Sequence, residues 1–298
     1  MRDLTGLRVV AVHAHPDDEA IWTGGALADL AHRGADVTVV TCTLGEQGEV
    51  IGEPFQQLVA DQADQLGGFR IGELQASLRH LDVRGVFLGG AGRWRDSGMI
   101  GDPANDSPRA FIHSGDVAVQ QLSELFDALK PHIAITYGPD GGYGHPDHIR
   151  AHEITHAAAE HHEIQRIYWA VTDRHALEAG LADISEIPTG WRHAAAGELA
   201  AVDRHDVRLE LSDVAVAAKL RAMKAHPTQL WIADGDMNAV NPLAATATLR
   251  QTNNALAVFA LSNLIAQPLL RCEYYQIGAG TPVAKGTVLS ELAGGVSW

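Results

Sequence analysis

Short apolar runs alternate with amphipathic segments along the first 170 residues or so. The apolar runs have the length and β-branched content of strands, and we predict strands at residues 8–12, 37–43, 83–88, 132–137 and 165–172. The segments between them have a helical pattern, and we predict helices at residues 23–33, 55–81 with a break at Gly67-Gly68, 116–130 and 147–162. This alternation is typical of a parallel sheet that is covered by helices on both faces.

The pattern predicts an α/β fold, with a Rossmann-like, mostly parallel sheet and helices on both faces. From about residue 173 onward the pattern is less regular and rich in alanine. We therefore expect a catalytic α/β domain over residues 1–172 and a smaller C-terminal α+β region over residues 173–298 that completes the pocket. The dinucleotide motif G-x-G-x-x-G does not follow the first strand, where the chain reads His13-Ala-His-Pro-Asp-Asp-Glu19.

Charge and cysteine content narrow the classes of function. The 298 residues carry 22 Lys and Arg against 37 Asp and Glu, a formal charge of −15, so we expect no nucleic-acid partner and no anionic membrane surface. Cys42 and Cys272 are too few for a disulfide framework and fit a reducing compartment. The first residues lack an apolar leader segment, and polar residues interrupt the longest uncharged stretch, 251–270. These features predict a cytoplasmic protein. The sequence leaves its oligomeric state open, a homo-oligomer included.

Two clusters of metal-ligating residue types follow the first and the fourth predicted strands. His15, Asp17 and Asp18 come after the first, and His145 and His148 come after the fourth. Ligands of open α/β sheets lie beyond the carboxyl ends of the strands, so the two loops meet if these strands are neighbours. A His, Asp and His set suits Zn²⁺ with an open coordination position, as in catalytic zinc sites. Adjacent aspartates diverge, so one can bind metal while the other faces the attacking water.

Other interpretations of the same residues are structural or belong to other activities. Carboxylates favour a helix N-terminus, and Pro146 suits the first turn of a helix, so both clusters also fit ordinary helix starts. The run His152-Glu-Ile-Thr-His156 matches H-E-x-x-H, which predicts a zincin-type protease with Glu153 as its base. A metal-dependent sugar-binding module without turnover is a further alternative. A poised base such as Asp17 argues against that module, because binding alone does not require one.

Both clusters resemble a known family. His15-Pro-Asp-Asp-Glu19 with Gly24-Gly25, and Gly144-His-Pro-Asp-His148, look like the two signatures of the LmbE/PIG-L zinc-dependent N-deacetylases, and the likeness covers residues 7–172. It implies zinc-dependent hydrolysis of the acetamide of a small N-acetylglucosaminide. Segments 39–46, 65–74, 88–99 and 141–148 resemble the members that deacetylate N-acetylglucosaminyl-inositol in mycothiol biosynthesis. The alternatives within the family are a mycothiol S-conjugate amidase, in which we expect proline at position 144, and a deacetylase of another N-acetyl sugar.

The resemblance also implies roles for individual residues. The implied ligands of one Zn²⁺, or of Fe²⁺ as the alternative, are His15, Asp18 and His148. The implied catalytic residues are Asp17 as general base and then acid, His145 as the electrostatic or proton-donating partner, Asp147 as the residue that orients His145, and Tyr143 as a mobile aid to the oxyanion. The implied substrate contacts are Arg70, Asp96, Glu49 and Met99. One departure from the family is Ala20-Ile-Trp22. Its tryptophan stands where a small polar stretch is expected, and it either stacks on a sugar or narrows the pocket.

Overall fold

The fold is described by a computed structural model, which covers residues 3–284 and 286–298. Residues 1 and 2, on which part of the leader argument rests, lie outside the described residues. The α-helices are α1 (Asp18–Trp22), α2 (Gly24–His32), α3 (Leu66–Leu81), α4 (Gly115–Leu129), α5 (Pro146–Ala159), α6 (Arg174–Asp183) and α7 (Asp213–Lys224). The strands are β1 (Arg8–His13), β2 (Asp36–Thr41), β3 (Arg84–Phe87), β4 (Ile133–Tyr137), β5 (Arg166–Val171), β6 (Ile184–Glu186), β7 (Arg192–His193), β8 (Val207–Glu210), β9 (Trp231–Ile232), β10 (Thr248–Leu249), β11 (Ala255–Ala260), β12 (Ile265–Leu270) and β13 (Cys272–Gly280).

The largest sheet has seven strands in the order β3-β2-β1-β4-β5-β13-β8. Its first five strands are parallel, which confirms the predicted mostly parallel sheet. Both faces are buried, because Val9 and Ala11 of β1 pack into one hydrophobic core while Val10 and Val12 pack into another on the opposite face. The strand order reverses between β1 and β4, so the loops after these two strands border the crevice where such sheets bind ligands.

The C-terminal region contributes to the large sheet as well as to smaller ones. Strand β13 pairs antiparallel with both β5 and β8, so two strands from beyond residue 172 extend the large sheet. The remaining strands form a four-stranded sheet, β7-β12-β11-β9, and a β10-β6 pair. Helix α7 packs against α2 and α3. The division between residues 172 and 173 stays a prediction.

The helices of the structure differ from the predicted ones in two places. The prediction of one helix over 55–81 was wrong in its first part, where a short 3-10 helix spans Glu53–Leu58 and α3 begins only at Leu66. Gly67 lies in the first turn of α3, where a Cβ atom would stand 2.7 Å from Glu46 Cγ, so the glycine permits a close approach rather than a break. The other difference is α1, which occupies residues expected to form a loop.

Candidate metal-dependent active site

The loop after β1 holds its side chains through hydrogen bonds within the loop. The backbone N–H of His15 donates to Asp18 Oδ2 over 2.9 Å, and that of Asp17 donates to Glu19 Oε2 over 3.0 Å. Asp17 has a φ of 118°, a conformation that is strained for any residue with a side chain. Strain of this kind is found at functional sites, where the surrounding structure enforces it.

The loop after β4 is shaped by glycines and closed by the start of α5. Gly141 has a φ of 67°, and a Cβ atom there would lie 2.9 Å from His148 Cβ, so glycine is required for this turn. A Cβ on Gly142, with a φ of 81°, would lie 2.8 Å from the Trp22 ring. Trp22 therefore packs beneath this turn, where it also lines the adjoining cavity. His145 caps α5, its Nδ1 accepting a hydrogen bond from the Asp147 N–H over 3.2 Å.

Three ligand atoms from the two loops form a nearly equilateral triangle. His15 Nδ1 and His148 Nε2 each lie 3.4 Å from Asp18 Oδ2 and 3.3 Å from each other. Ligands about 2.0–2.1 Å from a tetrahedral Zn²⁺ stand about 3.4 Å apart, so these three side chains fit one ion. They are buried, and they come from the loops after β1 and β4, two strands that are neighbours in the sheet, which is the condition that the sequence argument set.

Hydrogen bonds on the far side of each imidazole support this set. His148 Nδ1 donates to the Gly141 carbonyl oxygen over 3.1 Å, which leaves the Nε2 lone pair free for a metal. His15 Nε2 lies 3.3 Å from Asp147 Oδ2 and 3.5 Å from Asp96 Oδ1, so it carries the proton and leaves Nδ1 as the ligand atom. Burial lowers the pKa of His15, but the surrounding carboxylates of Asp96, Asp147 and Asp18 raise it well above its usual value. This buried negative charge suits a divalent cation.

Two other groups of side chains also gather within ligand distance among residues 3–284 and 286–298. One is His15, His145 and His148, and the other is His15, Asp96 and Asp147. In the first group His145 Nδ1 already accepts a hydrogen bond. In the second, the carboxylates face the protonated nitrogen of His15. We therefore favour the triangle that includes Asp18.

Asp17 points to the cavity and is held by a buried arginine. Its Oδ2 lies 3.1 Å from Arg70 Nη2, and Arg70 also donates to the carbonyl oxygens of Gly45, over 2.8 Å, and Pro16. Arg70 is only 2% exposed, so most of its hydrogen bonds go to the loop and not outward. Burial raises the pKa of Asp17 to about 7, against the lowering effect of the Arg70 cation. A carboxylate poised near neutrality suits a general base.

His145 and Tyr143 lie beside the triangle. Because His145 Nδ1 accepts from a backbone N–H, Nε2 carries the proton of the neutral ring and is free to donate. Burial, together with the positive potential of His15 and His148, lowers the pKa of His145 to about 3. The Tyr143 ring is half exposed and lies 6.0 Å from the His145 ring, centroid to centroid. Asp147 meets His145 only through its backbone, because its carboxylate faces His15 and accepts from Ser97 N over 2.9 Å. The predicted orienting contact is therefore a main-chain one.

A cavity of about 730 Å³ adjoins these side chains. Every site residue named from the sequence lines it except Asp147 and His148, which are fully buried behind it. Asp96 is also buried, its carboxylate accepting from Gln47 N over 3.1 Å and from Gly98 N over 2.8 Å. Glu49 and Met99 are exposed at the cavity.

The H-E-x-x-H run does not build a second metal site. His152 Nδ1 donates to the Tyr137 carbonyl oxygen over 2.9 Å, and His156 Nε2 accepts from Trp169 Nε1 over 2.9 Å. Glu153 is exposed and pairs with Arg150 over 2.9 Å. None of the three side chains belongs to a group within ligand distance among the residues that the structure describes, so the zincin-type alternative gains no support. Because α5 already points His148 to the other site, one turn before His152, the match is a consequence of a histidine-rich helix.

Sequence reasoning gave no role to two buried ion pairs of the C-terminal region, one made to Glu19 and one made within the region. His226 Nε2 lies 2.7 Å from Glu19 Oε1, and Lys219 Nζ lies 2.6 Å from Glu273 Oε1. Glu273 also accepts hydrogen bonds from Gly25 N and Ala26 N, each over 2.8 Å, at the start of α2. The signal in the sequence was weak, since Glu19 and His226 lie 207 residues apart and Glu273 lies 248 residues from Gly25.

Comparison with known proteins defines the class. The profile of the PIG-L family, described as GlcNAc-PI de-N-acetylase, matches residues 10–159, and this chain belongs to that family. It is 68% identical over 284 residues, 95% of each chain, to a 1D-myo-inositol 2-acetamido-2-deoxy-alpha-D-glucopyranoside deacetylase of Corynebacterium glutamicum strain R. It is 46% identical to the enzyme of the same name from Rhodococcus erythropolis over 307 residues, 97% of each chain.

Solved structures support the fold. A deacetylase of the teicoplanin biosynthetic pathway, here as a triple mutant, superposes with a TM-score of 0.50 at 21% identity, over 74% of this chain and 82% of that one. The 4-carboxy-2-hydroxymuconate hydratase of Pseudomonas putida KT2440 gives 0.51 at 14% identity, over 94% and 99%. Both likenesses concern the fold alone. Among the described residues, no helix has the length and apolar character that a bilayer crossing requires.

Proposed function

We propose that this protein hydrolyses the acetamide of 1D-myo-inositol 2-acetamido-2-deoxy-α-D-glucopyranoside, releasing acetate and the free amine, as a step of mycothiol biosynthesis. The observation that carries this proposal is the triangle of His15, Asp18 and His148 with Asp17 beside it, in a chain 68% identical to an enzyme with this name. The likeness to these relatives extends over nearly the whole chain, which favours this substrate over another N-acetyl sugar and over a thiol-conjugate amide.

Zn²⁺ is the ion we propose for the triangle, with Fe²⁺ as the alternative. The nitrogen and oxygen donors and the separations of 3.3–3.4 Å support a tetrahedral site with one open position. Bound there, the ion supplies a Lewis acid and lowers the pKa of water from 15.7 to about 7. Asp147 and Asp96 contribute by holding the proton of His15 on Nε2.

Asp17 is the proposed general base. Arg70 fixes the position of its carboxylate from one side, while the open cavity lies on the other. The carboxylate takes a proton from the attacking water and then delivers it to the leaving amine, so one group serves both steps. A positioned carboxylate of this kind contributes roughly 10²–10⁴ in rate.

His145 and Tyr143 are the proposed donors to the developing oxyanion. The Nε2–H of His145 is set by the hydrogen bond at Nδ1, so this donor is oriented before the substrate arrives. Tyr143 is half exposed and lines the cavity beside His145. Loss of one oxyanion donor typically costs about 10²–10³ in rate.

The C-terminal region, residues 173–298, is proposed to complete the substrate pocket. Side chains from α7, β11 and β12 line the cavity together with Glu49 and Met99. We propose Glu49, Met99, Asp96 and Arg70 as contacts of the sugar or the inositol. The free thiols of Cys42 and Cys272 support a cytoplasmic location.

Purified protein loaded with Zn²⁺ or Fe²⁺ and incubated with the inositol-linked N-acetylglucosaminide tests the proposal. We expect amine and acetate to appear in equal amounts, and the signal to vanish after chelation and return with metal. Absence of amine release from metal-loaded, folded protein would refute the proposal. Release from other N-acetyl sugars at a higher kcat/KM would move the assignment to those sugars.

A further inference from the structure

Glu19 is the fully buried centre of a hydrogen-bond cluster that ends at the candidate base. Its Oε2 accepts the backbone N–H of Asp17 over 3.0 Å. Its Oε1 accepts from Ser77 Oγ of α3 and from His226 Nε2 over 2.7 Å. A carboxylate only accepts hydrogen bonds, so all three partners donate to it. Three donors from three separate segments thus fix one side chain.

This cluster acts on the strained residue of the loop. Asp17 has a φ of 118°, and its backbone N–H is the group that Glu19 holds. A residue in such a conformation keeps it only while its surroundings enforce it, and release would redirect the carboxylate. Arg70 holds the side chain of Asp17, whereas Glu19 holds its main chain. The direction of the base therefore depends on both contacts.

The hydrogen bond to Glu19 is the one that the imidazole of His226 makes among the described residues. The residue follows α7, is fully buried, and its Nδ1 meets no hydrogen-bond partner within the described ranges. Two further carboxylates lie near it, those of Asp17 and Glu73. Glu73 is occupied by the Thr228 N–H over 3.0 Å and by Thr228 Oγ1 over 2.8 Å. The imidazole is thus oriented by Glu19.

We propose that His226 is a positioning residue of the deacetylation: through Glu19 it holds the main chain of Asp17 in the conformation that aims the carboxylate at the reacting water. The inference rests on the proposed function, in which Asp17 is the base. It makes the C-terminal region a part of the catalytic apparatus as well as a wall of the cavity.

Two substitutions of His226, to Gln and to Asn, distinguish a role in hydrogen bonding to Glu19 from a role in packing alone. In His226→Gln the side-chain amide nitrogen reaches the place of Nε2 and can donate to Glu19, whereas in His226→Asn it reaches only the place of Nδ1. We expect kcat of the Asn variant to fall about 10- to 100-fold with KM changed by less than about threefold, and the Gln variant to regain most of the loss. Metal content should stay that of the unsubstituted protein in both. His156→Asn and His156→Gln, at a half-buried histidine outside the site whose Nε2 accepts a hydrogen bond from Trp169, are the controls and should leave kcat unchanged.

Hydrogen exchange gives a readout that does not depend on turnover. The amide of Asp17 should exchange faster in His226→Asn than in His226→Gln, measured on the peptide that covers residues 14–20 in the metal-loaded protein. Ser77→Ala removes a second donor to Glu19 and should, like His226→Asn, speed the exchange of the Asp17 amide and lower kcat. This variant keeps the test valid if His226→Asn does not fold. Equal kcat and equal exchange in the Asn and Gln variants would overturn the proposal. Lack of amine release by the unsubstituted protein would instead refute the proposed function, while the exchange result would still stand.

Discussion

Adding a methyl group at Gly45, by substitution with alanine, should disturb the candidate base Asp17 through the arginine that holds it. A Cβ atom there would lie 2.0 Å from Arg70 Nη1 and 2.5 Å from its Cζ, so the guanidinium has to move by more than about 1 Å to restore ordinary contact. That guanidinium holds Asp17 over 3.1 Å, and it is buried. The Gly45→Ala substitution should therefore displace Arg70 and, with it, the carboxylate of Asp17.

The expected loss of stability in Gly45→Ala has two parts, backbone strain and overpacking, which a control variant separates. Gly45 has a φ of 65°, and alanine in this left-handed conformation costs about 1–2 kcal/mol. Gly92 has a similar φ of 72°, but a Cβ atom there meets only Leu44 Cδ1 at an ordinary 3.6 Å. Gly92→Ala thus carries the backbone cost alone, while Gly45→Ala adds about 1–3 kcal/mol of overpacking. A misplacement of about 1 Å should also lower kcat roughly 10²-fold in Gly45→Ala and leave it unchanged in Gly92→Ala.

The assay compares urea unfolding, metal content and kcat for the two variants and the unsubstituted protein. We expect both variants to lose stability, Gly45→Ala more, and only Gly45→Ala to lose turnover, with metal retained in each. Equal stability and equal kcat in the two variants would show that Arg70 does not hold the base, and the account of Asp17 would have to be abandoned.

Four further outcomes follow from the site. Asp18→Asn should bind metal at least about tenfold more weakly by equilibrium dialysis while Asp96→Asn keeps it, and the reverse result would favour the ligand group that contains Asp96. Asp17→Asn should lower kcat about 10²–10⁴-fold with metal content unchanged, and an active variant would exclude Asp17 as the base. Glu153→Gln should keep full activity, since a protease mechanism alone requires that residue. Gly68→Ala, inside α3 with open space around it, should raise the free energy of unfolding by about 0.5–1 kcal/mol, and a loss would contradict the helix start at Leu66.

The convergence of the two loops could be predicted from sequence because it follows from local patterns and one rule of topology. Strands 1 and 4 were visible as apolar runs, and parallel neighbours bring their carboxyl ends to one edge. The short helix α1 was missed, since five residues that begin with Asp18 show no helical period. The segment that precedes α3 was assigned too much helix, because its glutamines and alanines favour a helix that its turns interrupt.

The positions of hydrogen-bond partners were beyond sequence reasoning. Nothing in the pattern states that the carboxylate of Asp147 faces His15, because the two residues lie 132 positions apart and meet only through folding. Its main chain alone reaches the nearby His145. The link between Glu19 and His226 crosses 207 residues and depends on where α7 packs. Contacts of this kind are set by tertiary structure, and a pattern along one chain carries no record of them.

Strand β13 has a consequence for how the molecule is made. It completes the large sheet beside β5, yet it lies about 100 residues further along the chain. While the ribosome is still producing the intervening segment, β5 has an unpaired outer edge, which is a template for wrong pairing with another nascent chain. The sheet becomes whole only when Cys272–Gly280 emerges, so maturation of the enzyme waits for a strand made long after the rest of the parallel sheet.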